Sequence, residues 1–228
     1  PAERNYYMDI SPLWISLKVA LLATFITFFG GIYAARLVMK MKHYRGLIDG
    51  IFTLPLVLPP TVVGFFLLLI FGKNSFIGRV LSFFDAGVVF SWVGAVIAST
   101  VVSFPLMYRT ARGAFEQIDS NLIYAAQTIG MSNRRIFWRL IIPLSWPGIA
   151  AGAILAFARA LGEFGATIML AGNIPGKTRT MSVAVYSAVQ AGDRALAYRW
   201  VGVIMVISFV IIILMNYWLS YQNRLAKK

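Results

Sequence analysis

The sequence predicts an all-α membrane protein with about five transmembrane helices. Of its 228 residues, 59% are hydrophobic and 13% are charged, and the mean hydropathy is +0.75. A soluble domain of this length has too little interior to bury that much apolar surface. The apolar residues also fall in uncharged runs, most of them near the ~20 residues that a helix needs to cross a ~30 Å hydrocarbon core. We therefore expect one transmembrane domain over residues 1–228.

Five uncharged runs define the expected spans, and they cover residues 19–35, 50–72, 86–108, 140–158 and 200–223. The first run is short, but the Lys18 side chain can extend toward the head groups, so this helix is expected to begin at about Leu13. A sixth apolar stretch, residues 180–191, is too short and too polar to cross a bilayer. We expect it to form an interfacial or re-entrant helix.

The basic residues predict the orientation of the chain. They are concentrated after the first, third and fifth spans, as Arg36, Lys40, Lys42, Arg45, Arg109, Arg112, Arg134, Arg135, Arg139, Arg224, Lys227 and Lys228. Because cytoplasmic loops carry such an excess, we expect a cytoplasmic C-terminus, an outer N-terminus and an extracytoplasmic segment at about residues 172–199. The formal charge of +13 then indicates contact with the anionic head groups of the lipid bilayer. It does not indicate nucleic acid, since the basic residues lie on both faces.

Several kinds of chemistry are excluded by what the sequence lacks. It has no cysteine and one histidine, so disulfides, thiolate chemistry and a metal site are not expected. It also lacks a GxxxxGKS/T phosphate loop, a nucleophile elbow and an HExxH motif. We expect no enzyme active site and no cofactor in this chain, so if it works against a gradient, the energy comes from elsewhere.

The segment between the third and fourth spans, about residues 109–146, is too long for a simple turn. Good helix formers predict a helix over residues 122–129, which Gly130 can end. Ser132 can cap a second helix over residues 133–140. The segment should therefore be a folded piece made of two short helices.

Small and basic residues on this segment indicate a contact with another protein. Ala125 and Ala126 present almost no side chain, so a partner could approach the backbone closely. Arg134 and Arg135 would place positive charge around that contact. Pro143 would set the entry into the fourth span, since proline is tolerated in the first turn of a helix. The alternative interpretation is an ordinary amphipathic linker.

Arg159 and Glu163 form a charged pair at the end of the fourth span. Four residues apart on one helix face, they can neutralise each other at a depth where a lone charge is costly. Gly162 and Gly165 beside them permit close helix approach or a bend. The pair would line or gate a translocation path, or it would be a structural ion pair that never meets a substrate.

Three prolines interrupt the second span. Pro55, Pro59 and Pro60 remove backbone donors, which predicts a kink or a locally unwound turn. Thr61 and Gly64 follow as small residues that could line a path. A bend that moves during transport is one interpretation, and a static kink that serves packing is the other.

Several of these motifs together resemble a known family. The alanine pair at 125–126, Gly130 four residues later and Pro143 thirteen residues beyond are similar to the EAA loop of ABC transporter permeases, although Tyr124 stands where that family has glutamate. Four further motifs resemble molybdate permeases, and they are LPLVLPP at 54–60, SFPLM at 103–107, LAFARALGEFGAT at 155–167 and NIPGKTRT at 173–180. Sulfate and thiosulfate permeases share part of this set. The resemblance covers about residues 16–209.

The resemblance implies the permease subunit of a type I ABC importer for molybdate in the cell inner membrane. A sulfate, thiosulfate or tungstate permease is an alternative, and an ATP-independent anion carrier gated by Arg159 and Glu163 is another. It implies that the loop, from Tyr124 to Pro143, contacts an ATP-hydrolysing subunit that holds ATP and Mg²⁺. It also implies an extracytoplasmic oxyanion-binding protein that docks on residues 172–199. We expect a homodimer, since one copy has too few polar faces to enclose a path for a dianion.

Overall fold

The computed structural model describes residues 9–41, 43–84 and 87–225, and these residues form helices and no β-strand. In chain order the helices are α1 (Ser11–Lys40), α2 (Arg45–Val57), α3 (Pro60–Phe71), α4 (Phe76–Phe83), α5 (Trp92–Glu116), α6 (Ser120–Thr128), α7 (Asn133–Ile136), a π-helical segment (Phe137–Ile141), α8 (Ile142–Leu161), α9 (Gly165–Ala171), α10 (Met181–Gln190) and α11 (Arg194–Leu225).

Four helical stretches of the described chain are long and apolar enough to cross a membrane. They are α1, α5, the continuous run Asn133–Leu161 and the part of α11 over Arg194–Met215. The pair α2 and α3 provides a fifth span if its two bent halves are counted together. The predicted all-α membrane fold with about five spans is therefore confirmed.

The bounds of the spans differ from the uncharged runs that predicted them. The helix α5 begins at Trp92, later than the predicted residue 86, because the Ser91 hydroxyl accepts a hydrogen bond from the Gly94 N–H at 3.2 Å and caps the first turn. It continues to Glu116, so residues 109–116 extend this helix. Charged side chains at a helix end can reach water, so a helix can extend beyond the uncharged run of its sequence.

Small residues hold α1, α5 and α8 together at the centre of the chain. A Cβ atom on Gly31 of α1 would lie 2.8 Å from the Met107 Cγ, and one on Gly152 of α8 would lie 2.9 Å from the Thr110 Cβ. Both neighbours belong to α5, which therefore packs closely between the other two helices. In a lipid environment such close packing replaces the hydrophobic effect as the main source of helix association.

The predicted short helix at 180–191 is present as α10. Thr180 caps it by accepting a hydrogen bond from the Val183 N–H, and Ala191 ends it. Met181 and Val183 are fully buried, and the Met181 N–H donates to the Ser16 hydroxyl of α1 at 2.8 Å. One face of α10 thus packs on the chain's own helices, while its interfacial or re-entrant placement in the bilayer stays a prediction.

Candidate functional site

The second predicted span is broken into two helices. The break lies between Val57 and Pro60, and the axes of α2 and α3 differ by 113° across it. Pro60 occupies the first position of α3, where its missing N–H costs no hydrogen bond, and the Pro59 carbonyl accepts from the Val62 N–H at 2.9 Å. Pro55 lies inside α2. The predicted kink or locally unwound turn in the span over residues 50–72 is therefore present as a complete break, because consecutive prolines end the first helix and start a new one.

A second break separates α8 from α9. The sequence placed Arg159 and Glu163 on one helix face and allowed a bend at Gly162 and Gly165, and in the structure α8 ends at Leu161 and α9 begins at Gly165. The Glu163 carboxylate lies in this break and accepts a hydrogen bond from the Ala166 N–H at 2.9 Å. Since the first N–H groups of a helix lack partners within the helix, this carboxylate favours the start of α9 at this point.

The predicted ion pair is formed across the same break. The Arg159 Nη1 donates to the Glu163 Oε2 at 2.6 Å. The Glu163 side chain is 1% exposed, whereas the Arg159 side chain is 30% exposed. The negative charge is therefore enclosed by the protein and the positive charge reaches its surface. Such a pair can present guanidinium N–H groups to an anion while the site as a whole stays neutral.

The two breaks lie against each other. A Cβ atom on Gly165 would lie 3.0 Å from the Thr61 backbone nitrogen and 3.1 Å from the Pro60 Cβ. One on Gly64 would lie 2.7 Å from the Ala166 Cα. The start of α3 and the start of α9 are thus in backbone contact. Of the predicted path residues, the structure brings Pro60 and Thr61 against Gly165, two positions after the Glu163 carboxylate.

Sequence reasoning missed three buried hydroxyl groups on the elements that pack here. Ser99 and Thr100 of α5 and Thr167 of α9 have hydroxyl oxygens without a hydrogen-bond partner among the described residues. Thr167 follows Glu163 by four residues and is fully buried. A single serine or threonine in an apolar run gives little signal, since the hydroxyl commonly bonds to its own helix.

The coupling segment, defined here as residues 117–143, contains the predicted turn at Gly130. Gly130 has φ +84°, its N–H donates to the Gln127 carbonyl, and the Met131 N–H donates to the Ala126 carbonyl at 3.0 Å. This pattern is a Schellman motif, so Gly130 ends α6 as expected. Ser132 accepts a hydrogen bond from the Arg135 N–H and caps α7.

The second helix of the segment does not end at residue 140. After α7 the chain continues through the π-helical segment directly into α8, so residues 133–161 form one uninterrupted helical run. The Ile142 N–H donates to the Phe137 carbonyl, five residues back. Pro143 follows, and its ring would crowd the Arg139 carbonyl in a regular α-helix. The wider π turn accommodates this proline, so Pro143 lies inside a continuous helix and does not begin a separate one.

The exposed surface of the segment is more apolar than the sequence suggested. Ala125, Gly130, Arg134, Arg135 and Pro143 are exposed. Ala126 is buried at 5% exposure, so the expected pair of small surface residues is reduced to Ala125. Large apolar side chains are exposed on the same segment, and these are Leu122 (47%), Tyr124 (63%), Ile129 (77%) and Trp138 (63%). Sequence reasoning missed this patch because α6 carries apolar residues on more than one face.

A charged network joins α2 to the end of α5, and sequence reasoning missed it as well. Asp49 accepts a hydrogen bond from the Tyr108 hydroxyl at 2.8 Å and pairs with Arg112. Arg112 also donates to Glu116 at 2.9 Å, and Glu116 pairs with Arg45. The spacing of Arg112 and Glu116 could have indicated one of these pairs. The contact with Asp49, 63 residues away in the chain, has no local signal.

Known proteins resemble this chain over most of its length. Residues 27–225 match a family described as binding-protein-dependent transport system inner membrane component. The chain is 43% identical over 223 residues to the molybdenum transport system permease protein ModB of Haemophilus influenzae, covering 97% of this chain and 96% of that protein. It is 42% identical over 212 residues to the ModB protein of Escherichia coli K12, covering 92% and 93%. It is 33% identical over 216 residues to the sulfate transport system permease protein CysT of Salmonella typhimurium, covering 92% and 77%.

Solved structures share the fold at low sequence identity. The methionine ABC transporter MetNI in an inward-facing conformation matches with a TM-score of 0.74 and 16% identity, covering 97% of this chain and 99% of that chain. A bacterial alginate ABC transporter, solved in complex with an alginate pentasaccharide-bound periplasmic protein, matches with a TM-score of 0.75 and 18% identity, covering 93% and 78%. These neighbours assign the type I ABC importer permease fold to the described chain.

Proposed function

The chain belongs to the family of binding-protein-dependent transport system inner membrane components, and from this membership we propose that it is the permease subunit of an ATP-driven importer of molybdate. It is a multi-pass membrane protein of the inner membrane. The assignment of molybdate as the substrate rests on the identity of 42–43% to two molybdenum permeases over more than nine tenths of the chain. Its relatives are permease subunits, so we assign ATP hydrolysis, with ATP and Mg²⁺, to a partner.

The coupling segment is where the ATP-hydrolysing subunit would dock. Its exposed apolar side chains and exposed arginines form a mixed surface of the kind found at protein interfaces. Tyr124 replaces the family's glutamate, so the contact at this position would be apolar or aromatic and not an ion pair. Ala125 leaves room beside it for the partner's surface.

The continuous helix over residues 133–161 offers a direct mechanical route for coupling. It begins in the coupling segment and ends at the break that holds the Arg159–Glu163 pair. Since packed helices shift as units at interfaces, displacement of its first turn by the ATPase would shift this break. The break contacts the start of α3 through Gly165. ATP-driven motion would thereby reach Pro59, Pro60 and Thr61.

We propose that two copies form the translocation path between them. Thr61 and Gly162 are exposed in the single chain and lie in or beside the two breaks. Arg159 is partly exposed and would offer weak, reversible contact to an oxyanion. An anion that bound strongly within the membrane would not leave, so selectivity would belong to a separate binding protein.

The oxyanion-binding protein would dock on the outer segment, residues 172–199. This segment is held in place by polar contacts that α10 and the preceding loop share. The Arg179 Nε donates to the Asn173 Oδ1 at 2.7 Å, and the Asn173 Nδ2 donates to the Ser187 hydroxyl at 2.7 Å. A fixed surface suits docking because little ordering is lost on binding. With residues 172–199 on the outer side of the membrane, the N-terminus would also be outside and the C-terminus would be cytoplasmic.

A sulfate or thiosulfate importer is the second candidate, and the 33% identity to a sulfate permease favours it. Both anions are tetrahedral oxyanions of the same charge as molybdate, and tungstate is closer still. An ATP-independent carrier would use the same Arg159–Glu163 pair, but it would leave the exposed coupling segment without a role.

The experiment that tests the proposal measures cellular elements. Cells that lack the gene are grown on trace molybdate with limiting sulfate, and molybdenum, tungsten and sulfur are quantified by mass spectrometry against the parent and the complemented strain. A selective fall in molybdenum is expected. A fall in sulfur with unchanged molybdenum would move the chain to sulfate import, and unchanged levels of all three would contradict oxyanion import.

A further inference from the structure

A cavity of about 410 Å³ lies where the end of α1 meets the coupling segment. Its walls also include the last turn of α5. Arg36 and Lys40 are its charged lining residues, and the others include the amides of Gln127 and Asn133 and the ring of Phe137. The lining therefore combines two positive charges with two amides and otherwise apolar side chains.

Nothing in the described chain neutralises these two cations. Arg36 and Lys40 are four residues apart on one helix face, where like charges repel. Each described carboxylate is engaged elsewhere: Asp9 with Ser11, Asp49 and Glu116 with Arg112, Asp119 with Asn121, Glu163 with Arg159, and Asp193 with Leu196. A helix that keeps two adjacent cations at a cavity without an acidic partner is suited to an anion that comes from outside the chain.

The Arg36 guanidinium also lies over an aromatic ring. Its guanidinium carbon lies 3.9 Å from the centroid of the Phe137 ring. Stacking on a ring uses the face of the guanidinium and leaves the N–H groups at its edge available. Those N–H groups match the spacing of oxygens in a phosphate group.

We propose that this cavity binds the phosphate group of an anionic phospholipid, with Arg36 and Lys40 as its ligands. Two observations favour a lipid over a free oxyanion. The cavity is walled largely by apolar side chains and lies at the end of a span, where head groups are found. Phe29 and Tyr33 of α1 lie two turns and one turn before Arg36 on nearly the same face and are 57% and 63% exposed, so acyl chains could lie against them.

The test uses the full-length chain purified in a neutral detergent and examined by native mass spectrometry. The probes are phosphatidylglycerol, phosphatidylcholine and inorganic phosphate, each added over the same concentration range. The natural chain should retain phosphatidylglycerol in preference to phosphatidylcholine. In an Arg36→Gln/Lys40→Gln variant this retention should weaken about tenfold or more, since each lost contact is a charge-assisted hydrogen bond. A Lys73→Gln/Arg79→Gln variant loses the same charge at exposed positions outside the cavity and should behave as the natural chain.

Lys40→Gln alone guards against a folding defect, because Lys40 is exposed. This single variant should show part of the same loss. Equal retention of phosphatidylglycerol by the cavity variant and the control variant would overturn the proposal. The assignment to a lipid would be overturned if binding of inorganic phosphate depended on Arg36 and Lys40 and retention of phosphatidylglycerol did not.

Discussion

Arg159 and Glu163 form one ion pair, but their surroundings differ. The carboxylate is enclosed and also holds the first turn of α9, whereas the guanidinium is partly exposed. A buried charge that loses its partner is far more costly than an exposed one, because only the exposed charge can be stabilised by water or head groups. The two residues should therefore respond differently to neutral substitutions.

We predict that Arg159→Gln destabilises the chain more than Glu163→Gln does. The first leaves a buried carboxylate unpaired, at a cost of about 3 kcal/mol. The second leaves a partly exposed guanidinium and keeps an acceptor for the Ala166 N–H, at a cost of about 1 kcal/mol. Thermal unfolding of the purified variants measures both. The double variant should recover most of the difference, and equal losses in the two single variants would contradict the asymmetry.

Gly64 is the residue that permits contact between the two helix breaks. An added Cβ would meet the Ala166 backbone at 2.7 Å, where no flexible side chain can give way. We predict that Gly64→Ala destabilises the chain and impairs uptake, because overpacking of about 1–3 kcal/mol exceeds the ~1 kcal/mol that alanine gains in a helix. Gly202→Ala in α11 is the matched control, since a Cβ there meets nothing within 4 Å. A Gly64→Ala chain as stable as this control would refute the close contact.

At the scale of elements, local signals predicted some helix ends and the break at the prolines, but they did not predict the break at Glu163. Gly130 and Ser132 act through hydrogen bonds to residues a few positions away, so their roles could be predicted from the sequence. The break at Glu163 could not, because the same motif also fits a continuous helix with an i, i+4 pair. The fit of Gly165 against Thr61 needs residues about a hundred positions apart, which no local pattern reports.

Substitutions of Gly130 can distinguish a change in the shape of the coupling segment from a change in its contact with a partner. Its positive φ disfavours any residue with a Cβ by about 1–2 kcal/mol, yet a Cβ there would meet nothing within 4 Å. We predict that Gly130→Ala lowers ATP-driven uptake moderately, through strain alone. Gly130→Arg carries the same strain plus bulk on an exposed surface, so it should abolish uptake while membrane insertion stays normal. Uptake and membrane content measured together test this, and equal uptake by both variants would argue against docking at this surface.

At the scale of the whole molecule, the described parts of α1, α3 and α11 expose many large apolar side chains. In the most apolar part of α11 only 6% of residues are buried, and the exposed apolar side chains of α1 and α3 add to this surface. Lipid can cover such a surface, but the polar elements at the two breaks need a different neighbour. A second copy related by a two-fold axis that passes near the breaks would place break against break.

The absence of cysteine makes this arrangement testable with single substitutions. In an isologous dimer, a residue near the axis lies close to its own copy, and a disulfide forms only when the two Cα atoms come within about 7 Å. Thr61 is exposed at the break, so Thr61→Cys should give an oxidised dimer in membranes. Phe29→Cys on the exposed face of α1 should stay monomeric under the same conditions, since lipid would cover that face. Cross-linking through position 29 and none through position 61 would move the interface to α1 and take the path away from the two breaks.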